Sequence, residues 1–386
     1  MHICFLCHEY PPVNIGGIGA FTQSLARGLV QKGFAVSVVG LYNVEKEILE
    51  DDQGVQLYKV PKAKASKLNF IFNKKRIKKK LLKLHAEKPI DLLEGPNSAN
   101  ALLPNPLPFP VVMRFHGGHR YFAHTTGRKP IPIRRYLEDQ AIKNSNFYCA
   151  VSKYNADAIK LLLRKPQMPI EVIYNPVDSN IFKPDDSIPI EEGLILFVGT
   201  IAEKKGVAQL MEAIPQVLDK NPKAKLWLVG RDWTNPYNGQ NLRKELERKI
   251  PPQYKDRAVF KGPLPHNEIK PMLNRAQVCV FPSLMEGHPV VWLEAMACAK
   301  AIVGSNTGAA YEIITEGETG LLCNPFSPDD IARALNQMLA DKEASYQMGI
   351  NAREWIINTL TRETILDKNA SFFQACIKQY KQKQLA

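Results

Sequence analysis

Glu286 and Glu294 stand at the two ends of the run EGHPVVWLE, separated by a Pro-containing turn and an apolar helix start. Ionised carboxylates accept hydrogen bonds from hydroxyl groups, and the N–H groups of Val290 and Val291 at a helix start attract phosphate. A ligand carrying both phosphate and sugar hydroxyls suits that combination. The same nine residues equally suit a helix whose early glutamate complements the dipole, beside an ordinary loop glutamate. Two further stretches hold chemistry. His116 begins His116-Gly117-Gly118-His119 at the carboxyl end of VVMRFH, where open α/β sheets bind ligands, although a histidine there is structural more often than catalytic. The early loop EYPPVNIGGIGAF ends at a helix start, and Gly16 and Gly17 let its backbone N–H groups approach a ligand unobstructed.

Regular elements must hold these residues in place. VCVFPS (278–283) reads as a buried parallel strand, and Pro289 suits the first turn of a helix running through Leu293, Met296 and Ala297. Glu286 therefore falls in the loop off a strand's carboxyl end and Glu294 on the helix that follows. Near the amino end, strands over 2–7 and 35–41 flank a helix marked by Phe21, Leu25 and Leu29, with Gly33 as its stop. Such a βαβ unit predicts a parallel sheet. Strands follow over 111–116, 146–152 and 171–178, and the Pro- and Asp-rich stretch 175–189 reads as a linker. A second series then places strands at 194–200, 225–230, 258–262, 278–283 and 301–305, with helix signals from Pro328 onward. The expectation is an α/β chain of two Rossmann-like domains, 1–180 and 181–365, with 366–386 a final helix packing back on the first. A plain dinucleotide fold fits less well. Gly17 and Gly19 supply two glycines of that fingerprint, Thr22 stands at the third, and Gly40-Leu41-Tyr42 brings no acidic residue for a ribose.

The 386 residues, 45% of them hydrophobic, are enough for two soluble domains with their own cores. No apolar run approaches the roughly 18 residues of a spanning helix, and MHICFLCHEYPP is no signal peptide, so a cytoplasmic location is expected. Charge is unevenly placed. Residues 1–170 hold 26 Lys and Arg against 12 Asp and Glu, whereas residues 171–386 hold 25 against 26. The basic half calls for an anionic partner, a membrane surface or an acidic substrate. Its densest part is 67–88, with Phe70, Ile77, Leu81 and Leu84 on one stripe among Lys74, Lys75, Arg76, Lys78, Lys79, Lys80 and Lys83. That segment reads either as a surface helix with solvated lysines or as a contact with anionic lipid headgroups on the inner membrane face. Nucleic acid is not expected, because interleaved aromatics and a reading motif are both missing. The seven scattered cysteines predict reduced thiols. Cys4-Phe5-Leu6-Cys7-His8 matches a haem-attachment pattern formally, but neighbours three apart on a strand face opposite sides.

Taken in order, these stretches resemble the retaining glycosyltransferases of family 4, which have the GT-B fold of two facing Rossmann-like domains with an interdomain cleft. Glu286 and Glu294 are similar to that family's E-x7-E motif, and FVGTIAEKKG to its glycine- and lysine-bearing donor loop. EAMACAKAIVGSNTGAAYEII is similar to the segment after the second glutamate, and YPPVNIGG and FHGG to the early loop and its histidine. The resemblance spans nearly the whole chain and is densest from Leu194 to Leu335.

It implies a UDP-, GDP- or ADP-linked sugar donor held by the C-terminal domain and a glycan or lipid-linked acceptor held by the N-terminal one. Glu294 would bind the ribose, and Glu286 the hydroxyls of the transferred sugar. Lys205 would neutralise the diphosphate, helped by N–H groups of Gly16, Gly17, Val290 and Val291, with His288 in the same donor set. His116 would lie beside the sugar, forming the catalytic group with Glu286. No D-x-D occurs, so the implied reaction is metal-independent, and the nucleotide-sugar is a co-substrate with no further cofactor. Thr200 stands where the family usually has Arg, which makes Lys204 and Arg231 the supplementary cations; Ala299 and Ala301 replace its usual Gly and Pro. A nucleotide-sugar epimerase and a non-catalytic carbohydrate- or lipid-binding protein remain alternatives on the same architecture.

Overall fold

The computed structural model describes residues 1–12, 17–64, 69–125, 127–234 and 239–385. The chain forms two units, Met1–Tyr174 with Glu363–Ala386, and Asn175–Arg362. In the first, chain order runs β1 (His2–Leu6), α1 (Gly17–Gln31), β2 (Ala35–Tyr42), β3 (Ile48–Asp52), β4 (Val55–Pro61), α2 (Asn69–Glu87), β5 (Leu92–Pro96) and β6 (Val111–Phe115). It continues with α3 (His119–Thr125), α4 (Pro132–Lys143), β7 (Phe147–Ala150), α5 (Lys153–Leu163) and β8 (Glu171–Val172). The sheet order is β3-β4-β2-β1-β5-β6-β7-β8. All pairs are parallel but one, and the strand HICFL is buried along its whole length, as a parallel strand covered on both faces must be. α1 buries Phe21, Leu25 and Leu29.

The exception is β3, antiparallel to β4 at the sheet edge. Gln53 and Gly54, at φ +56° and +89°, form the two-residue turn between them, and Asp51 Oδ1 accepts from the Gly54 N–H.

The second unit runs β9 (Leu194–Val198), α6 (Val207–Lys220), β10 (Lys225–Val229), α7 (Leu242–Lys249), β11 (Ala258–Gly262), α8 (His266–Arg275) and β12 (Val278–Phe281). It ends with α9 (Val290–Ala297), β13 (Ala301–Ser305), β14 (Leu321–Cys323), α10 (Pro328–Ala340) and α11 (Lys342–Thr359). Its six parallel strands are ordered β11-β10-β9-β12-β13-β14. Apolar side chains from β9, β10, β12 and β13 pack with α6 and α10 into one core.

The first crossing between units comes earlier than the 180/181 boundary expected from the linker. Asn175 donates to the His288 carbonyl at 2.7 Å and the Val177 N–H to Leu360 at 3.1 Å, so this stretch belongs to the second unit. The chain returns at 362/363 within α12 (Arg362–Leu385), which buries Phe373 and Cys376 in the first unit. There the Asn369 Oδ1 accepts from Arg114, whose guanidinium also grips Glu94 with two 2.8 Å bonds.

Two expectations for the basic segment need correction. Lys80 does not face outward: it is buried, its ammonium 2.6 Å from Glu47 and 3.7 Å from the Tyr58 ring centroid. Its long stem covers apolar surface while its charge finds a partner. Phe70 is not on the packed stripe. Ile77, Leu81 and Leu84 are buried with Cys4, Leu6 and Val39, but Phe70 is exposed beside Ile71 and Phe72. Lys75, Arg76, Lys78, Lys79 and Lys83 are exposed and Lys74 is half-buried. Lys67, Leu68 and Gly16 lie outside the described residues. All seven cysteines are buried and free, Cys4 and Cys7 among them.

Candidate active site

Glu286 sits in the loop between β12 and α9 and is fixed from three sides. The Ser283 hydroxyl donates to its Oε1 at 2.7 Å, and the Lys205 ammonium donates to the same oxygen at 2.5 Å. Gly308, at φ +65°, brings the chain after β13 against the Glu286 main chain; a Cβ there would stand 2.5 Å from the Glu286 carbonyl oxygen. Next to it, the Thr307 hydroxyl donates to the Ser283 carbonyl at 3.2 Å.

Lys205 ends a single 3-10 turn, Glu203–Lys205, after β9. Gly206 stops that turn at φ +66°, and a side chain there would collide with the Pro282 carbonyl. The Leu284 N–H donates to the Lys204 carbonyl at 3.0 Å, tying the two loops together. Three loops at the carboxyl ends of β9, β12 and β13 thus hold one ammonium and one carboxylate in contact. That edge of a parallel sheet is where ligands bind.

Glu294 is buried on α9, and its Oε1 lies 3.1 Å from His266 Nε2 at the start of α8. That hydrogen bond raises the His266 pKa above its ordinary value, although burial opposes it. Val290 and Val291 are the only α9 residues left partly exposed, and the first turn of any helix leaves its N–H groups without intrahelical acceptors. His288 is buried, and desolvation pushes its pKa down to about 3. A neutral imidazole can hydrogen-bond but brings no cation to a diphosphate. Arg231 and Lys204 are both exposed, and the Arg231 carbonyl accepts from the Ile201 N–H at 2.9 Å, just beyond Thr200.

Ala299, where the resemblance implies glycine, takes φ +54° just past the end of α9. The left-handed region costs a residue with a Cβ about 1 kcal/mol.

The remaining site residues belong to the first unit. His116 follows β6; its N–H donates to Asn97 Oδ1 at 2.9 Å, and its ring meets Phe21 edge-on at 5.0 Å between centroids. Burial, then the Arg114 charge, pushes its pKa down to about 3, so the ring is neutral. Gly117 and Gly118 continue at φ +113° and +127°, which favours glycine at both. Gly17 opens α1, and among the described residues a Cβ added there would meet nothing within 4 Å.

The structure therefore joins Lys205 to Glu286 and sets Val290 and Val291 at the start of the helix bearing Glu294. Gly17 and His116 are held on the other unit. Sequence reasoning missed Ser283, Thr307, Gly308 and His266. The first three lie in stretches already singled out, and the glycine in SNTG was the available signal. His266 had none, being 28 residues from its partner on a different helix.

Two α/β units, one on a wholly parallel sheet and the other on a sheet parallel but for β3, with a lysine–carboxylate cluster at the carboxyl edge of the former, are the architecture of the GT-B class. The chain belongs to the group 1 glycosyltransferases: residues 178–355 match "Glycosyl transferases group 1" and residues 15–180 match "Glycosyltransferase Family 4". It is 28% identical over 385 residues to an uncharacterized glycosyltransferase of Methanocaldococcus jannaschii, covering 94% of this chain and 93% of that one. It is 27% identical over 264 residues to the alpha-maltose-1-phosphate synthase of Mycolicibacterium smegmatis, covering 63% of this chain and 66% of the other. Among solved structures, sucrose-phosphate synthase from Thermosynechococcus elongatus superposes with a TM-score of 0.83 at 20% identity, covering 98% and 99% of the two chains. Anabaena HepE in complex with UDP and glucose gives 0.74 at 18% identity, covering 97% and 100%. The protein is a glycosyltransferase.

Proposed function

We propose that this enzyme transfers a sugar, with retention of anomeric configuration and without a metal ion, from a nucleotide-sugar to a cell-envelope glycan, lipid-linked or polysaccharide acceptor. The observation carrying this reading is the Lys205–Glu286 contact, locked by Ser283 and Gly308. In the proposed complex the donor diphosphate takes over the Lys205 ammonium, and a sugar hydroxyl replaces it on Glu286. Leaving-group charge then falls on a fixed cation and on the α9 N–H groups at Val290 and Val291, which need no reorganisation as the bond breaks. The acceptor proton passes to the departing phosphate oxygen. His116 and His288, both neutral, act as hydrogen-bonding groups and not as proton donors, and Lys204 and Arg231 add positive charge near the diphosphate.

A thermal-shift screen against UDP-, GDP- and ADP-sugars tests the donor, because a ligand that binds only the folded state raises its melting temperature. UDP-sugars come first, since HepE is seen with UDP and glucose. The expected outcome is one stabilising series, unaffected by EDTA, with a product whose anomeric proton coupling matches the donor. An inverted product, or turnover strictly dependent on added divalent metal, overturns the mechanism. Epimerised donor or free nucleotide without acceptor points to the epimerase instead.

A second part of the proposal concerns α2. Phe70, Ile71, Phe72 and Leu82 are exposed on the same helix as Lys75, Lys78, Lys79 and Lys83. Apolar side chains flanked by lysines suit an anionic bilayer surface. We expect co-sedimentation with vesicles containing anionic lipid and little with neutral ones; equal recovery with both sinks this role. Among the described residues no helix is long and apolar enough to cross a membrane.

A further inference from the structure

One open cavity lies wholly within the first unit and shares no residue with the Lys205–Glu286 cluster. It offers about 820 Å³ between α3, α4 and the end of α5. Its walls carry Arg120, Arg128, Arg135, Lys143, Arg164 and Lys165 against a single carboxylate, Asp139. Arg120 already engages Asp139, and its Nε is 3.5 Å from the buried Glu138. Among the described residues the side chains of Arg135, Lys143, Arg164 and Lys165 form no ion pair. Like charges gathered round one concavity repel, and the arrangement is stabilised when an anion enters.

Three observations narrow the ligand. The site is concave and has an apolar component in Ile142, Leu162 and Leu163, which suits a discrete ligand better than a flat lipid surface. Four of its six cations are arginines, whose planar forks bind phosphate or carboxylate through paired hydrogen bonds. Tyr136 stands on the wall 53% exposed, an aromatic face that suits the ring of a sugar.

Arg164 adds a fourth. It ends α5 in the left-handed conformation at φ +55°, a position that favours glycine. An arginine there carries a backbone cost while placing its guanidinium at the cavity.

We propose that this cavity is a second anion site, which binds a saccharide bearing two or more phosphate or carboxylate groups. That its ligand is the acceptor rests on the transferase reading; the binding itself does not.

The test is isothermal titration of the full chain at low salt with fructose 1,6-bisphosphate, trigalacturonate and neutral maltotriose. We expect binding of at least one anionic probe and none of maltotriose, and the probe that binds separates phosphate from carboxylate. The pair Arg135→Ala and Arg164→Gly should weaken that binding at least about tenfold, the loss of one charge-assisted hydrogen bond. Arg164→Gly suits the left-handed position, so its melting temperature should equal or exceed the wild type and the loss cannot be assigned to unfolding. Replacing Lys378 and Lys381, exposed on α12, by alanine should leave this binding unchanged. Failure of both anionic probes, equal binding of maltotriose, or an equal loss in the α12 variant overturns the proposal. The nucleotide-sugar thermal shift, measured in the same variants, should be unaltered, so that failure of the donor reading shows separately.

Discussion

Glu286→Ala is expected to lower kcat by on the order of 10²-fold or more, the usual effect of deleting one preorganised polar contact to the reacting group. Two consequences follow from the geometry. The substitution removes the acceptor that holds Lys205 and the Ser283 hydroxyl at 2.5 and 2.7 Å, so part of the loss reflects a lysine no longer aimed. Lys205→Ala should therefore depress kcat and raise the donor KM together, whereas Glu294→Ala, which leaves the lysine pair intact, should act mainly on donor KM. Because Lys205 and Glu286 share one bond, the double variant should fall short of the sum of the single losses. Steady-state kinetics with the stabilising donor checks all four proteins. Wild-type kinetics in Glu286→Ala would falsify the site assignment, and strict additivity would show that the pair does not act as a unit.

The second large effect concerns stability. Glu94→Ala should destabilise the first unit by about 3–5 kcal/mol, because it strands a buried guanidinium. The Arg114 side chain is fully buried and that of Glu94 is 5% exposed, so water cannot replace the lost carboxylate. Asn369 would remain as a neutral partner, while Arg114 Nη1 has no hydrogen-bond partner among the described residues even in the intact protein. The melting transition of this unit should drop by on the order of 10 °C. Glu94→Gln, which keeps an acceptor and the volume, should lose clearly less. Differential scanning calorimetry reads both, and an unchanged transition in Glu94→Ala refutes the account.

What the sequence made legible was decided by how local its physics is. Strands such as HICFL and VCVF are continuous apolar runs, and Phe21, Leu25 and Leu29 repeat at helical spacing, so sheet and helices could be read without contacts. The β3–β4 hairpin was missed although Asp52-Gln53-Gly54 carried its turn signal, because the strand ILEDD lacks the apolar run that marks the others. Lys80 was misread because its pattern, one lysine among seven basic residues, hides a partner 33 residues away. Glu286 and Lys205 could be singled out individually through their motifs. Their contact spans 81 residues, and the supports from Thr307 and Gly308 depend on a third loop folding over them. Ala299 shows the converse: a departure visible in the sequence acquires its physical meaning only with a φ of +54°.

The return of α12 gives the chain an order of completion. The second unit is one uninterrupted stretch, Asn175–Arg362, and every residue in it is made before Glu363. The first unit is the opposite. The Asn369 side-chain oxygen that accepts from its buried arginine, the Leu366 side chain against Gly28 and the Phe373 ring against Phe5 all come from residues that follow the second unit in the chain. During synthesis from the amino end, the first unit must therefore wait with an open seam in its core while the second is completed. A cut a few residues before α12 would not shorten a tail; it would leave that seam permanently open.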